Sequence, residues 1–353
     1  MMNAPWFVLG SGEIQLPPVD PCDLPEERGD FGASYAVALA QTVFPPEVHA
    51  RVAAREHRVT ELLAAEWQVG GFSDRYGLRR MLSIGSTARD LYAWLPTDHD
   101  LMVETEAPQE QIDRDKIRQL LERLAAQLAA APEFRASPED GQSLRAVFLS
   151  SLKVRGQASL VGRLNAIWDC ANGEVQEENL VDITFGNVRR TADYVLWMSA
   201  YLARLPVEMR VRQTAEIRLA KKMFKALGEV YGSQETGLRP ITIEQWVIQN
   251  VLRQPSGLPV GTCDAVLHHV AGQAISFTDY RQRWPVWRPG LTDEEIESGA
   301  ISPVINLLDL LANGDKVLAE AKWQRIVRLA QAYMRRREQR QGWTIEELTA
   351  HHD

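Results

Sequence analysis

Two aspartates, Asp98 and Asp100, are separated by a single residue in the segment TDHDLMVETE. The alternation of polar and apolar residues there is typical of a β-strand, in which every second side chain points to the same face. Both carboxylates would then share one face, while Leu101 and Val103 enter a core on the other. Two like charges this close cost free energy, and a bound Mg²⁺ ion removes that cost because it prefers carboxylate oxygens. The alternative interpretation is a solvated turn that Asp98 caps.

The segment IGSTAR precedes the aspartates and contains residue types that suit phosphate. At Gly85 the backbone can approach a ligand closely, and the hydroxyl and amide of Ser86 can bond to a phosphate oxygen. The guanidinium of Arg89 could pair with a triphosphate. The position of this loop, shortly before Asp98 and with a predicted strand on each side, favours a phosphate-binding role.

A third carboxylate, Asp182, interrupts the apolar strand pattern of the segment NLVDITFGN. A buried aspartate is costly unless it is paired or bound to a metal. If this strand lies beside the strand of Asp98 and Asp100, the three carboxylates form a cluster that can hold two Mg²⁺ ions, or Mn²⁺ in their place. One ion would activate a hydroxyl nucleophile, and the other would bind a triphosphate and stabilise the leaving pyrophosphate. That chemistry is nucleotidyl transfer; the alternative is that Asp182 is a turn residue at a strand start.

The elements that would position these residues form an α+β domain followed by a helical one. Apolar residues at helical spacing predict helices after Pro46 and within residues 109–132. Short alternating runs predict strands at 77–86, 99–106, 144–154, 163–170 and 179–188. The predicted organisation is an irregular N-terminal extension over residues 1–45, the α+β domain over 46–190 and the helical domain over 191–353.

Composition and charge narrow the class of protein. The chain has 353 residues, of which 45% are hydrophobic and 24% are charged. Its formal net charge of −8 does not predict general nucleic-acid binding, although an acidic protein can still carry a local basic groove. Three widely spaced cysteines, Cys22, Cys170 and Cys263, argue against a disulfide framework and fit a reducing cytosol. No apolar run is long enough to span a bilayer, so we expect a cytoplasmic protein without a membrane partner.

Four segments resemble motifs of the polymerase-β-like nucleotidyltransferases, most closely those of the archaeal-type (class I) CCA-adding tRNA nucleotidyltransferases. The segments are GSTAR, WLPTDHDL, LVDITFG and EIRLAKKMFKALGEVYGSQE. Asp90 and Leu91 stand where the family has a Gly-Thr pair. The resemblance implies a palm-like catalytic domain with a small mixed β-sheet, followed by a helical domain of the poly(A) polymerase and oligoadenylate synthase type that binds nucleotide and substrate.

The resemblance also assigns roles to single residues. The metal ligands and catalytic residues would be Asp98, Asp100 and Asp182, and the nucleotide contacts would be Gly85, Ser86, Arg89, Thr191, Lys221, Tyr231 and Ser233. The implied enzyme needs Mg²⁺, uses an NTP such as ATP or CTP, and transfers the nucleotide to a hydroxyl acceptor. The acceptor implied by the CCA-adding branch is an RNA 3′ end, such as that of tRNA.

Two other functions are compatible with the same core. One is a cGAS/DncV-like or oligoadenylate-synthase-like enzyme, which makes cyclic or linear oligonucleotide signals from NTPs. The other is a catalytically degenerate nucleotidyltransferase that serves as a binding subunit. The presence of all three aspartates argues against the degenerate form.

Overall fold

The structure is a computed structural model that describes most of residues 45–226 and shorter stretches elsewhere. The described residues are 7–9, 13–15, 45–87, 89, 91–92, 98–135, 142–155, 159–187, 189–226, 244, 290–299 and nine positions between 324 and 339. The chain divides into two compact units: Pro45–Ser199 forms the first, and Ala200–Asp353 together with Met1–Phe44 forms the second. All three predicted catalytic aspartates belong to the first unit.

The N-terminal extension contains a short antiparallel hairpin, in which β1 (Phe7–Leu9) pairs with β2 (Glu13–Gln15). The prediction of an irregular extension was wrong at these residues. Strands of three residues present too short an alternation to be recognised in a segment rich in proline and glycine. The rest of residues 1–44 lies outside the described residues.

The helix predicted after Pro46 is confirmed as α1 (Pro46–Val69). Its predicted apolar stripe is buried, and it consists of Val48, Val52, Val59, Leu62 and Leu63. A short helix, α2 (Phe72–Tyr76), follows after a left-handed Gly71 with φ of 65°. Helix α1 therefore presents one apolar face to a core, as its 3.6-residue period requires.

The second predicted helix is α3, which begins at Arg114 and ends at Ala130. The sequence placed its start near Gln109, but Asp113 forms the N-cap: its Oδ1 accepts the backbone amides of Asp115 (3.1 Å) and Lys116 (3.2 Å). Such a cap satisfies amides that have no partner within the helix. The preceding residues, Gln109–Gln111, form a separate 3₁₀ turn.

Five strands form one mixed sheet in the first unit. They are β3 (Leu78–Ser83), β4 (His99–Thr105), β5 (Ser143–Arg155), β6 (Ser159–Asp169) and β7 (Val175–Gly186). Their order in the sheet is β3-β4-β7-β6-β5; β4 and β7 are parallel, and the other neighbours are antiparallel. The predicted α+β class with a small mixed sheet is confirmed.

One face of the sheet is packed in the core with α1 and α3. Leu101, Val103 and Ile183 have no exposed surface and belong to this cluster. A Cβ atom at Gly162 would lie 2.2 Å from Leu121 Cδ1, so a side chain here would force Leu121 of α3 to move. Since each buried aliphatic side chain contributes about 1.5–3 kcal/mol, this face fixes the strand register and, with it, which side chains point to the opposite face.

The remaining described elements are helical. Helix α4 (Arg189–Arg204) is followed by α5 (Val207–Ala226), and a hydroxyl of Tyr201 donates to Gln213 Oε1 at 3.1 Å between them. A third helix, α6 (Asp293–Glu297), is short. All but one of the described positions between 324 and 339 are also helical. Within the described part of the chain, no helix has both the length and the apolar composition that crossing a membrane requires.

Candidate active site

The three predicted catalytic aspartates are brought together where β4 begins. Strands β4 and β7 are parallel neighbours, and Asp100 stands in register with Asp182. Residues in register share a face of the sheet, so both carboxylates point away from the core side of Leu101. Asp98 precedes Asp100 by two residues and continues the same alternation. The three carboxylates were predicted to form a cluster if the strand of Asp182 lies beside that of Asp98 and Asp100. This condition is met.

Along β4, the polar face is accessible near the start of the strand and buried further on. Asp98 and Asp100 are half-buried, whereas Met102 and Glu104, further along the same face, are 1% and 0% exposed. We refer to the accessible part, with Asp98, Asp100 and Asp182, as the open end of this face. A ligand could reach carboxylates at the open end without rearrangement of the core.

Asp98 and Asp182 interact strongly enough to change a titration. Burial, and secondly the negative charge of Asp182, raise the pKa of Asp98 above its ordinary value of 3.8. The positive charge of Arg163 acts in the opposite direction but does not cancel the rise. The sequence predicted that like charges lie close together, and the effect of Asp182 on the pKa of Asp98 agrees with that prediction.

Arg163 on β6 completes the open end, and no role was predicted for it. Its Nε and Nη2 atoms donate to Oδ1 and Oδ2 of Asp182, each at 2.8 Å, so the ion pair is bidentate. The hydrogen bond and charge of Asp182, followed by the charges of Asp98 and Asp100, raise the pKa of Arg163 against the effect of burial. All three carboxylates therefore act on one guanidinium.

A β-bulge explains why sequence reasoning missed Arg163. Along the β6–β7 hairpin, Asn165 pairs with Asn179 but Leu164 pairs with Val181, so Leu180 is an extra residue on β7. Without that bulge, Arg163 would stand opposite Val181 and share the core face with it. The signal that could have found it is an arginine within the largely apolar run LVGRLNAIW, because a charged residue in a central strand needs a partner.

The open end fits a divalent cation by the chemistry of its donors rather than by their present arrangement. Carboxylates are the oxygen ligands that Mg²⁺ and Mn²⁺ prefer. Among the described residues, however, no group of three or more His, Cys, Asp or Glu side chains is placed so that it could hold a metal ion. Both oxygens of Asp182 accept hydrogen bonds from Arg163, so the guanidinium competes with a metal ion for this carboxylate.

The predicted phosphate loop lies against the open end. The amide of Ile84 donates to the carbonyl of Asp100 at 2.8 Å. At the next residue, Gly85, a Cβ atom would lie 2.9 Å from Oδ2 of Asp100 and 3.0 Å from its Cβ. Only glycine leaves this carboxylate in its place, which is the close approach that the sequence predicted. Ser86 is half-buried, and its carbonyl accepts the amide of Leu91 at 2.8 Å.

Arg89 lies where it holds the loop. It is 6% exposed, and its Nη1 donates to the carbonyl of Ile84 at 2.6 Å. Leu91 and Tyr92 are also buried, so they anchor the return of the loop. The contact of Arg89 with a triphosphate stays a prediction, and Asp90 lies outside the described residues.

His99 points to the core side, between the two aspartates that flank it in sequence. Burial, and secondly the positive charge of Arg55, lower its pKa to about 3. The guanidinium of Arg55 is 5.3 Å from the ring centre of Phe134 and 5.8 Å from that of Trp168. His99 is therefore neutral at physiological pH, and it faces away from the carboxylates, so it is not a proton acceptor for chemistry at the open end.

A second ion-pair group occupies the other part of the polar face, which we call the closed end. Arg80 on β3 donates through Nε to Glu104 Oε2 at 2.7 Å and through Nη2 to Asp193 Oδ1 at 3.2 Å. Glu104 lies on β4 and Asp193 in the first turns of α4. The closed end therefore ties the sheet to the start of α4, in which Thr191 is also found.

Among the predicted nucleotide contacts of the second unit, Lys221 lies within the described residues. Lys221, in α5, is 2% exposed and forms an ion pair with Glu244, which is 1% exposed. Next to it, burial, and secondly the positive charge of Arg218, lower the pKa of Lys222. Tyr231 and Ser233 lie outside the described residues. The roles of Thr191, Lys221, Tyr231 and Ser233 stay predictions.

A groove of about 530 Å³ is also present in the first unit. It is lined by one face of α1 together with Ser83, Thr87 and Tyr92. Ser83 stands in register with Leu101, so it lies on the core side of the sheet. The groove therefore belongs to the opposite side from the carboxylates.

Several solved structures are similar to the chain. CdnC of E. coli MS115-1 with ATP is 14% identical, with 91% of this chain and 95% of that chain covered and a TM-score of 0.45. Cid1 with its short product ApU is 14% identical, with 91% and 82% covered and a TM-score of 0.40. The mtPAP structure with CTP is 10% identical, with 96% and 77% covered and a TM-score of 0.42.

These similar structures are those of nucleotidyltransferases. No family model and no curated protein matches the chain. Identities of 10–14% and TM-scores of 0.40–0.45 carry no argument about activity. The function of this chain must therefore be inferred from its own side chains.

Proposed function

We propose that this protein is a divalent-metal-dependent nucleotidyltransferase, which moves a nucleoside monophosphate from an NTP to a hydroxyl acceptor. One observation carries the proposal: the register of β4 and β7 gathers Asp98, Asp100 and Asp182 on one accessible face, against the Gly85–Ser86 loop. Three carboxylates at one place are costly for stability. A cation-dependent reaction gives a reason for that cost.

Each group has a defined part in this reaction. The three aspartates would hold the metal, and the metal would supply activation of the hydroxyl and stabilisation of charge on the phosphates. The backbone at Gly85 and the hydroxyl of Ser86 would bind the triphosphate. A bond would form between the acceptor oxygen and the α-phosphorus, and the hydroxyl proton would pass to solvent. The bond from the α-phosphorus to the α–β bridging oxygen would break, and pyrophosphate would leave with that oxygen.

The proposed acceptor is an RNA 3′ end, with ATP or CTP as the donor. Support comes from the motifs GSTAR, WLPTDHDL and LVDITFG, which resemble those of CCA-adding enzymes. In the second unit, Lys221, Tyr231 and Ser233, with Thr191 of the first, are the proposed additional nucleotide contacts. The net charge of −8 is neutral on the point, because a local groove decides RNA binding.

A transfer assay tests the proposal. The protein is incubated with Mg²⁺ or Mn²⁺ and each labelled NTP, with and without RNA, including tRNA that lacks its 3′-terminal CCA. Labelled RNA is the expected result. Labelled small products that form without RNA would instead indicate synthesis of oligonucleotide signals. No product with either metal would show that the proposed enzyme activity is wrong.

Two variants link the activity to the site. Asp100→Asn should lower the rate by more than the roughly 10–100-fold that is typical of changes outside the ligand shell. Glu106→Gln is the matched control, since Glu106 directly follows β4 and its exposed carboxylate pairs with Arg79 at 3.7 Å. Equal rates in wild type and Asp100→Asn would separate the activity from these carboxylates.

Gly85→Ala tests the approach of the loop. The added methyl group would meet the side chain of Asp100, which must turn away to make room. We expect the transfer rate to fall while the melting temperature changes little, because the displaced group is at the accessible end. Ser86→Ala, which adds no atom, should have a smaller effect on the rate. A normal rate for Gly85→Ala would contradict the predicted position of Asp100 in the reaction.

A further inference from the structure

The strongest unassigned feature is the ion pair of Arg163 and Asp182. Its bidentate geometry, with two distances of 2.8 Å, engages both oxygens of the carboxylate that would be the third metal ligand. A guanidinium held in this way supplies positive charge at the place where the proposed function requires a cation. The pair is built into the sheet, because Arg163 and Asp182 are in register on neighbouring strands.

Arg163 can leave without disturbing the core. Its side chain is 42% exposed, whereas that of Asp182 is 15% exposed. The arginine therefore has solvent beside it, and the aspartate is held in place by the strand. Because the guanidinium faces solvent, it regains hydration when the pair opens, so exchange of the partner of Asp182 does not require the protein to unfold.

The charge of Arg163 also acts on the other two carboxylates. Asp100 stands in register with Asp182, and Asp98 continues the same alternation, so both carboxylates lie at the open end beside the pair. One guanidinium thus relieves repulsion among three carboxylates. A divalent cation at the same place would do so more strongly, because the interaction energy scales with the product of the charges.

We infer that Arg163 is an internal counter-cation for the carboxylates, and that a divalent metal engages Asp182 only by displacing it. The inference rests on the proposed function, since it concerns the same carboxylates. Arg163 is a positioning residue here, because it acts through Asp182. Phosphate oxygens bind guanidinium bidentately, so an incoming triphosphate offers Arg163 a new partner at the moment when metal takes the old one. Metal binding without nucleotide should accordingly be weak.

Binding of Mn²⁺ without nucleotide tests the inference, with the EPR signal of free Mn²⁺ as the readout. In Arg163→Met, which removes the charge and the donors, we expect the Kd for Mn²⁺ to fall about tenfold or more, because a repelling charge is lost and Asp182 is released. Arg163→Lys keeps a charge without the bidentate fork and should lie between wild type and Arg163→Met. Arg145→Met is the matched control, since Arg145 lies in β5 and pairs with exposed Asp169 at 3.7 Å.

A second readout separates metal binding from misfolding. Saturating Mn²⁺ should raise the melting temperature of Arg163→Met more than that of wild type, since a ligand stabilises in proportion to its binding free energy. Addition of Asp182→Asn to Arg163→Met should remove the gain in Mn²⁺ affinity. Persistence of the gain in that double variant would overturn the role of Asp182.

The outcomes distinguish this inference from the proposed function. Suppose that wild type binds Mn²⁺ and Asp100→Asn weakens that binding, but Arg163→Met binds no more tightly than wild type. The counter-cation role is then wrong, and the proposed metal site stands. If Asp100→Asn changes Mn²⁺ binding in neither background, the carboxylates are not the metal site, and both the function and the inference fail.

Discussion

Two arginine–carboxylate groups lie on the same face of one sheet and differ in their access to solvent. At the closed end, Arg80 is 21% exposed and its partner Glu104 is 0% exposed. At the open end, Arg163 is 42% exposed and Asp182 is 15% exposed. The two groups use the same chemical pairing, but only the second can exchange its arginine for another cation at low cost.

This difference shows that ion-pair geometry alone does not reveal purpose. Removal of a partner from a buried pair leaves a charge in a medium that cannot solvate it, whereas an exposed charge recovers water. In addition, the closed end joins three elements through Asp193, and the open end joins two neighbouring strands. We therefore interpret the closed end as structural and the open end as functional.

The largest expected effect is on the closed end. Arg80→Met should lower the free energy of unfolding by about 3–5 kcal/mol, because the carboxylate of Glu104 stays buried without its partner. Arg79→Met is the matched control, since the neighbouring Arg79 pairs with exposed Glu106, and it should cost at most about 1 kcal/mol. Urea denaturation measures both. A loss for Arg80→Met as small as that for Arg79→Met would remove the distinction between the two ends.

The second effect concerns His99, which lies behind the open end on the core side. Its pKa of about 3 in the folded protein is below the ordinary value of 6.5, so the unfolded chain binds more protons between these values. Stability should therefore fall as pH falls from about 6.5 to 3, by a few kcal/mol at about 1.4 kcal/mol per pKa unit. His99→Leu should remove this part of the pH dependence in denaturation series. An unchanged dependence of stability on pH in His99→Leu would show that other groups cause the loss of stability in acid.

A smaller effect is expected when the open pair is broken. Arg163→Met should lower the free energy of unfolding at neutral pH without metal by less than Arg80→Met does, because Asp182 keeps 15% of its side chain exposed and Glu104 keeps none. Chemical denaturation beside Arg80→Met provides the direct comparison. Equal costs for the two variants would make the open pair structural and weaken the case for its exchange.

The smallest effect is expected for Asp98→Asn, and its sign is opposite to that of His99. The folded-state pKa of Asp98 is raised by burial and by Asp182, so the folded protein holds the proton more tightly than the unfolded chain. Wild type should therefore lose stability as pH rises from 3.8 through the raised value. Asp98→Asn should be slightly more stable than wild type at neutral pH, and more so in an Arg163→Met background. A less stable Asp98→Asn would show that the carboxylate is held favourably.

Local patterns predicted most of the first unit. Helix α1 and the strands follow from periodicity, because one face of each must be apolar to be buried. The face of β7 on which Asp182 lies was predictable for the same reason, because the apolar side chains of Ile183 and Phe185 occupy the other face. The pairing of β7 with β4 could not be predicted from the sequence. It joins segments some 80 residues apart, and such pairing depends on packing that no local pattern contains.

The rest depended on irregular features. The phase of the β6–β7 hairpin changes at Leu180, so the partner of Arg163 could not be counted from the turn. Arg89 was predicted to bind phosphate from its residue type, yet the structure buries it against the carbonyl of Ile84. Lys221 has the residue type of a phosphate contact and is found beside Glu244. For both Arg89 and Lys221 the sequence shows a positively charged side chain, but it does not show which group in the fold that side chain contacts.

The bulge at Leu180 has a consequence for how the hairpin can vary in length. It separates the β6–β7 ladder into two segments with independent phase, one toward the turn and one at the carboxylates. A residue inserted or deleted on the turn side can be absorbed by removing or adding such a bulge, and Asp182 keeps its place opposite Arg163. The tip of the hairpin is thereby free to change length while the geometry of the aspartates is preserved.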